Sequence, residues 1–394
     1  MHETITPRLR TDVLLRPYQQ FDGDDRYIVA VDDRHFVVSA AVAAVLEESR
    51  LQGTLASLAA RASARLGITV SAELASRVLS EAVLSVCFHA TETRASSASP
   101  IRQRHTLFSA RLVKPLLAMA HPLFTGRGAV TLITLLVFIE LLVASRAAEA
   151  APYFLTGTEI VCTATLAALG VIVHELGHLA ACSRFGASHG GIGVGMYWCM
   201  PVFYSEVNGA WMLPRFQRVI VDAGGLYLQC GYVIALGAAY LLSGSPMILE
   251  TIVWTHLLML HALNPVLKYD GYWLLTDLTS ISNLHAAIRL VARDTWEALT
   301  HNGAHPGIGA LLLLSIFTAM AASYFGYVCI VLGRNIGTSV GEVLHRWAIQ
   351  HTSSFGTWHA IGESALLALF FVMALSLSLM FARSLYRLGK DSSP

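Results

Sequence analysis

Charge is what this chain has least of. Only 13% of its 394 residues are Asp, Glu, Lys or Arg, while 55% are apolar, and the formal net charge is +1. A soluble protein of this size carries about twice that charged fraction, so the composition points to a lipid bilayer as partner. A near-neutral chain offers no general field for a polyanion, which excludes nucleic acid as a partner on electrostatic grounds. Cysteine is also scarce: Cys87, Cys162, Cys182, Cys199, Cys230 and Cys329 are scattered without C-x-x-C spacing, so neither a disulfide framework nor an all-cysteine metal site is expected. The first residues, MHETITPRLRTD, lack the apolar core of a signal peptide, and the segment they open is expected to stay in the cytosol. No internal repeat of the kind used by transporters is present.

Long apolar runs are absent from residues 1–90, where charges are spread throughout. This stretch reads as a small α+β domain. Strands are expected at Tyr27–Val31 and His35–Val38, then helices from Ser39 as N-cap through Leu51, over Leu55–Leu66 with Gly67 at its end, and over Ser71–Cys87. TETRASSASP (residues 91–100) reads as a linker. The basic residues Arg102, Arg104, Arg111, Lys114 and Arg127 mark a membrane-proximal segment that closes near residue 126.

From 127 to 394 the pattern changes to runs long enough to cross a bilayer, at about 128–145, 158–183, 219–242, 247–267, 307–332 and 361–382. The expected fold is therefore mainly α, a polytopic bundle of about six spans carrying a small winged-helix-like cytosolic domain. The distribution of arginine and lysine between the loops favours both termini on the cytosolic side of the plasma membrane. Spans three and four are the least regular in sequence, because Gly224-Gly225 and Asn264-Pro265 interrupt them.

Within the second run stands His174-Glu175-Leu176-Gly177-His178. Residues four apart share a helix face, so both imidazoles can reach one zinc ion, and Glu175 can reach a water on that ion as general base. Ionisable groups are costly in an apolar helix unless they serve a site. A catalytic zinc takes three protein ligands and keeps one position open, so one more is needed. Asp270 is the leading candidate. Pro265 breaks the helix before it, Gly271 permits a turn beside it, and the inferred topology brings it to the depth of His178. Glu206, Asp222, His261 and Asp277 are its rivals, each of which also reads as an interfacial, loop or hydrogen-bonded core residue.

The H-E-x-x-H box in a span, followed by NPVLKYDG (264–271), resembles the site-2 protease family of intramembrane zinc metallopeptidases. Pro201–Glu206, Ala210-Trp211, Leu213–Arg215 and Asp270–Leu275 resemble its bacterial peptide zinc metallopeptidase branch. The resemblance covers roughly residues 120–285 and lacks any PDZ-like insertion. It implies Asp270 as third ligand and Asn264 as a substrate-binding or oxyanion-stabilising residue. It also implies hydrolysis of a precursor peptide or a small membrane-embedded peptide, in the maturation of a ribosomally made peptide. Residues 1–90 resemble the PqqD-like domains, which bind a leader peptide by adding a strand to their sheet. A peptide-binding or exporting protein with a structural zinc site is the alternative.

Gly190–Met196 lacks the flanking strand and helix of a nucleotide loop. It reads either as an extended segment that pairs with substrate or as a plain connection. Gly224-Gly225 reads as close helix packing.

Overall fold

The structure, a computed structural model, describes residues 6–324, apart from 20–24, 32–33, 82–83, 85–86, 89–100, 150–154, 198–199, 282 and 302–306, together with residue 326. Linker 91–100, the end of the fifth apolar run and the sixth run at 361–382 lie outside the described residues. The chain is mainly helical and divides into two compact units. One is drawn from Met1–Thr134, Val171–Gly231 and Leu274–Ser282, the other from Leu135–Gly170, Tyr232–Trp273 and Asn283–Pro394.

In the first unit, β1 (Leu14–Gln19), β2 (Asp25–Val31) and β3 (Arg34–Ser39) form an antiparallel sheet in that order. The strands β2 and β3 lie where alternation places them. The first strand was not expected, since Arg16-Pro17 breaks its apolar pattern; proline is tolerated there because β1 is an edge strand. Helices α1 (Ala40–Glu48), α2 (Leu55–Leu66) and α3 (Ala72–Ser80) follow, each opened by a side-chain cap from Ser39, Thr54 and Ser71. The last is shorter than the expected 71–87. Val29, Val31, Val45, Leu46, Leu58, Ala75, Val78 and Cys87 share one core. The burial of these apolar side chains is the main driving term for the small domain. That burial also pushes the Cys87 thiol up to about 11.

The basic segment is more ordered than a collar of charges suggests. Ile101–Phe108 is a strand, β4, paired antiparallel with β5 (Ile192–Tyr197), which in turn pairs with β6 (Met200–Ser205). Gly190–Met196 is thus extended in part, but β5 has a neighbour on each side, so among the described residues β4 and β6 are the edge strands of this sheet. Next come α4 (Ala110–Ala120) and, after a 3-10 turn at His121–Phe124, α5 (Gly126–Ala148).

Helices α5, α6 (Gly157–Arg184) and α7 (Arg215–Ser243) are long and apolar enough to cross a membrane. Among the described residues these three meet that measure, against six expected runs. Gly224-Gly225 does not interrupt α7. The reason is packing: a Cβ on Gly177 of α6 would overlap the Gly224 carbonyl, so the two helices approach backbone to backbone there.

The N-terminal sheet is seated on the start of α7 and on the 3-10 turn at Asn208–Met212 before it. The Arg218 guanidinium lies 4.9 Å from the ring centre of Tyr18 on β1, Arg16 Nη1 donates to Met212 O at 3.1 Å, and His35 stacks on Trp211 at 6.4 Å.

In the second unit, Ile139 and Val143 of α5, Val233, Leu236 and Tyr240 of α7 and Ile252 of α8 (Pro246–Ala262) form a core. Helix α8 stops before Asn264-Pro265, as proline requires. A shorter apolar helix, α11, covers Ile308–Tyr324. Between them are α9 (Asp270–Thr279), which begins with Asp270, and α10 (Leu284–His301).

Candidate metal centre

His174, Glu175 and His178 are buried on α6. Their two rings meet edge to face, with Nε2 atoms 3.2 Å apart. Each ring is oriented from its other nitrogen. His174 Nδ1 donates to Gln229 Oε1 at 3.0 Å, and His178 Nδ1 donates to the Val221 carbonyl at 2.8 Å. Both acceptors belong to α7. A neutral imidazole that donates from Nδ1 has only a lone pair at Nε2. Two such lone pairs facing each other at this distance repel unless a proton or a metal cation lies between them.

Tetrahedral zinc with Zn–N bonds of about 2.0–2.1 Å sets its nitrogen ligands about 3.3 Å apart, close to the separation found here. The wall facing the pair is Gly225. A Cβ on it would stand 2.6 Å from His174 Nε2 and nearer still to His178 Nε2, so glycine keeps the space between the rings clear. A third candidate donor is Asp270: His174, His178 and Asp270 each offer one ligand atom, and these atoms all lie within 4.8 Å of one another, a group that could hold a metal ion. Among the described residues no other group of three or more His, Cys, Asp or Glu side chains is so arranged. Two imidazoles and a carboxylate suit zinc, and the oriented Nδ1 atoms are the support such ligands need.

The rivals for the third position are engaged elsewhere or stand outside the group. Asp277 forms a buried ion pair with Arg218 at 2.8 Å. Glu206 pairs with Arg104 at 3.1 Å on a half-exposed surface. His261 Nδ1 lies 2.6 Å from the Tyr324 hydroxyl. Asp222 is half-buried on α7, next to the Val221 that orients His178.

Asn264 is buried. Its Oδ1 accepts from Val266 N at 2.9 Å, a local turn that holds the side chain, while its Nδ2 has no acceptor among the described residues. Sequence reading missed Gln229 and misjudged Gly225 as packing alone. A glutamine one turn beyond a glycine pair, in the apolar stretch of α7 that follows Asp222, was the available signal.

The chain is similar to the "Putative peptide zinc metalloprotease protein YydH" of Bacillus subtilis (strain 168), 25% identical over 116 residues, which make up 29% of this chain and 46% of that protein. It therefore spans about half the length of the curated relative it matches. No protein-family model and no solved structure matches the chain.

Proposed function

We propose that this chain is a membrane-embedded zinc metallopeptidase of the site-2 protease type, with His174, His178 and Asp270 as ligands and Glu175 as general base. The observation that carries this reading is the pair of buried Nε2 atoms, 3.2 Å apart, with each ring held by a hydrogen bond at Nδ1. Three protein ligands leave a fourth position open, the pattern of a catalytic and not a structural zinc. The similarity to a bacterial protein named as a peptide zinc metalloprotease supports the same reading.

Zinc held there would acidify a water molecule and polarise the scissile carbonyl. Glu175, adjacent to the first ligand on the same helix, takes the proton of the attacking water and returns it to the leaving amine. The unspent Nδ2–H donor of Asn264 stabilises negative charge on the carbonyl oxygen. The apolar helices α5, α6 and α7 set this chemistry in a bilayer, with both termini on the cytosolic side.

The substrate is a precursor peptide or a small membrane-embedded peptide, captured by the N-terminal domain before cleavage. What supports capture is a cleft of about 700 Å³ between β3 and α3, lined by Phe36, Val38, Leu74, Arg77 and Val78. It lies beside a sheet edge, because β3 is the outer strand among the described residues.

The test is metal analysis with cleavage of a membrane-peptide library read by mass spectrometry. His174→Ala and His178→Ala lose most of the zinc; Glu175→Gln keeps the zinc and loses cleavage. Full zinc in both histidine variants would overturn the assignment.

A further inference from the structure

Helix α4 has more apolar surface than its packing uses. Its inner face is spent: Val113 and Leu117, one turn apart, are buried against Leu179 and Ala180 of α6 and Ile192 of β5. Yet Leu112, Leu116 and Met119 stand 62%, 51% and 77% exposed. At helical spacing these three fall on one flank, and the exposed Arg111 and Lys114 fall together on the opposite flank. After five intervening residues α5 begins, and Val130, Ile133, Val137, Phe138 and Leu141 are exposed along it, on a helix long enough to span.

We propose that α4 is an in-plane interfacial helix. It sinks Leu112, Leu116 and Met119 to the acyl boundary of the bilayer and sets Arg111 and Lys114 against anionic lipid headgroups. The charge pattern selects lipid over a second copy of the chain, because a basic flank beside an apolar flank matches the layering of an anionic membrane surface. The inference rests on the reading that α5 and α6 cross a bilayer.

Its consequence for the metal centre is one of depth. Leu179, clamped by α4, directly follows His178, and α6 ends at Arg184, about 9 Å further along by helix rise. An interfacial α4 therefore holds the metal ligands just beneath the headgroups. The peptide bonds within reach are those at the membrane boundary, not those at the midplane.

The test places a photoreactive benzoylphenylalanine at Leu116, and separately at Phe138 on α5, in the full-length protein. The protein is reconstituted in phosphatidylcholine vesicles with and without phosphatidylglycerol. Lipid adducts at both positions are expected, enriched in phosphatidylglycerol at position 116. That enrichment should fall roughly 30-fold in the Arg111→Gln/Lys114→Gln variant. Lipid adducts at 138 with none at 116, or a chain-to-chain adduct at 116, overturn the role of α4 alone. Enrichment unchanged by the charge removal overturns headgroup binding. The absence of lipid adducts at 138 as well overturns the membrane reading beneath both.

Discussion

Arg218 and Asp277 form a buried ion pair, with both Nε and Nη2 of the guanidinium 2.8 Å from the same carboxylate oxygen. The pair ties the first turns of α7 to α9. Arg215 adds to the joint through bonds to the backbone carbonyls of Asp277 and Leu278. One turn after Arg218 on α7 is Val221, whose carbonyl orients His178. Two turns before Asp277, α9 begins with Asp270.

Removing one member leaves an uncompensated buried charge, which costs about 3–5 kcal/mol, whereas replacing both with apolar side chains of similar volume is close to neutral. Arg218→Met should therefore lower thermal stability in detergent sharply, and Arg218→Met/Asp277→Leu should recover most of the loss. A single variant as stable as the parent would mean that the pair contributes little.

Gly225→Ala should abolish zinc binding while leaving the helical content intact. Its methyl group would enter the space between the two Nε2 atoms, and neither ring can retreat without giving up its bond to Gln229 or Val221. Metal analysis beside far-ultraviolet circular dichroism decides it. Normal zinc in a folded variant would show that the gap between the rings is not where the ion sits.

The Cys87 thiol, pushed up from 9.0 to about 11 by burial in the N-terminal core, should be nearly inert to iodoacetamide at pH 8. Its thiolate fraction there is about 100-fold below that of a free thiol, and it should rise tenfold per pH unit until about pH 11. The sign for stability follows. The folded state disfavours the thiolate, so this contribution is complete below pH 9 and is lost as pH rises from 9 towards 11. Time-resolved mass spectrometry of the Cys87 peptide reads the first effect; alkylation as fast as in urea would show that the thiol is not held in the core.

Local signals carried well into the structure. The expected Leu55–Leu66 with Gly67 at its end is α2, and the alternation of Tyr27–Val31 and His35–Val38 marks two strands, because those patterns arise from near neighbours. What was not legible depends on partners distant in sequence. Ile101–Phe108 is basic and exposed over most of its length, and it is a strand because β5, some ninety residues on, supplies its hydrogen bonds. Gly224-Gly225 reads as a break in isolation but is continuous helix once Gly177 stands opposite. At the candidate metal centre, the H-E-x-x-H box declares itself by type and spacing, whereas Asp270 was one of five candidates, favoured by Pro265, Gly271 and the family resemblance. Gln229 and the Val221 carbonyl do not, since their roles exist only when α6 and α7 are side by side.

That pairing bears on how the chain is made. Helix α6 brings two histidines and a glutamate into an apolar setting, and the hydrogen-bond acceptors that satisfy both imidazoles are on α7, against which Gly177 allows the closest approach. Inserted alone, α6 would expose those polar groups to acyl chains at a cost of several kcal/mol. Were α6 and α7 to cross a bilayer, they would enter it best as a pair, and His174 and His178 would then be oriented before Asp270 is synthesised.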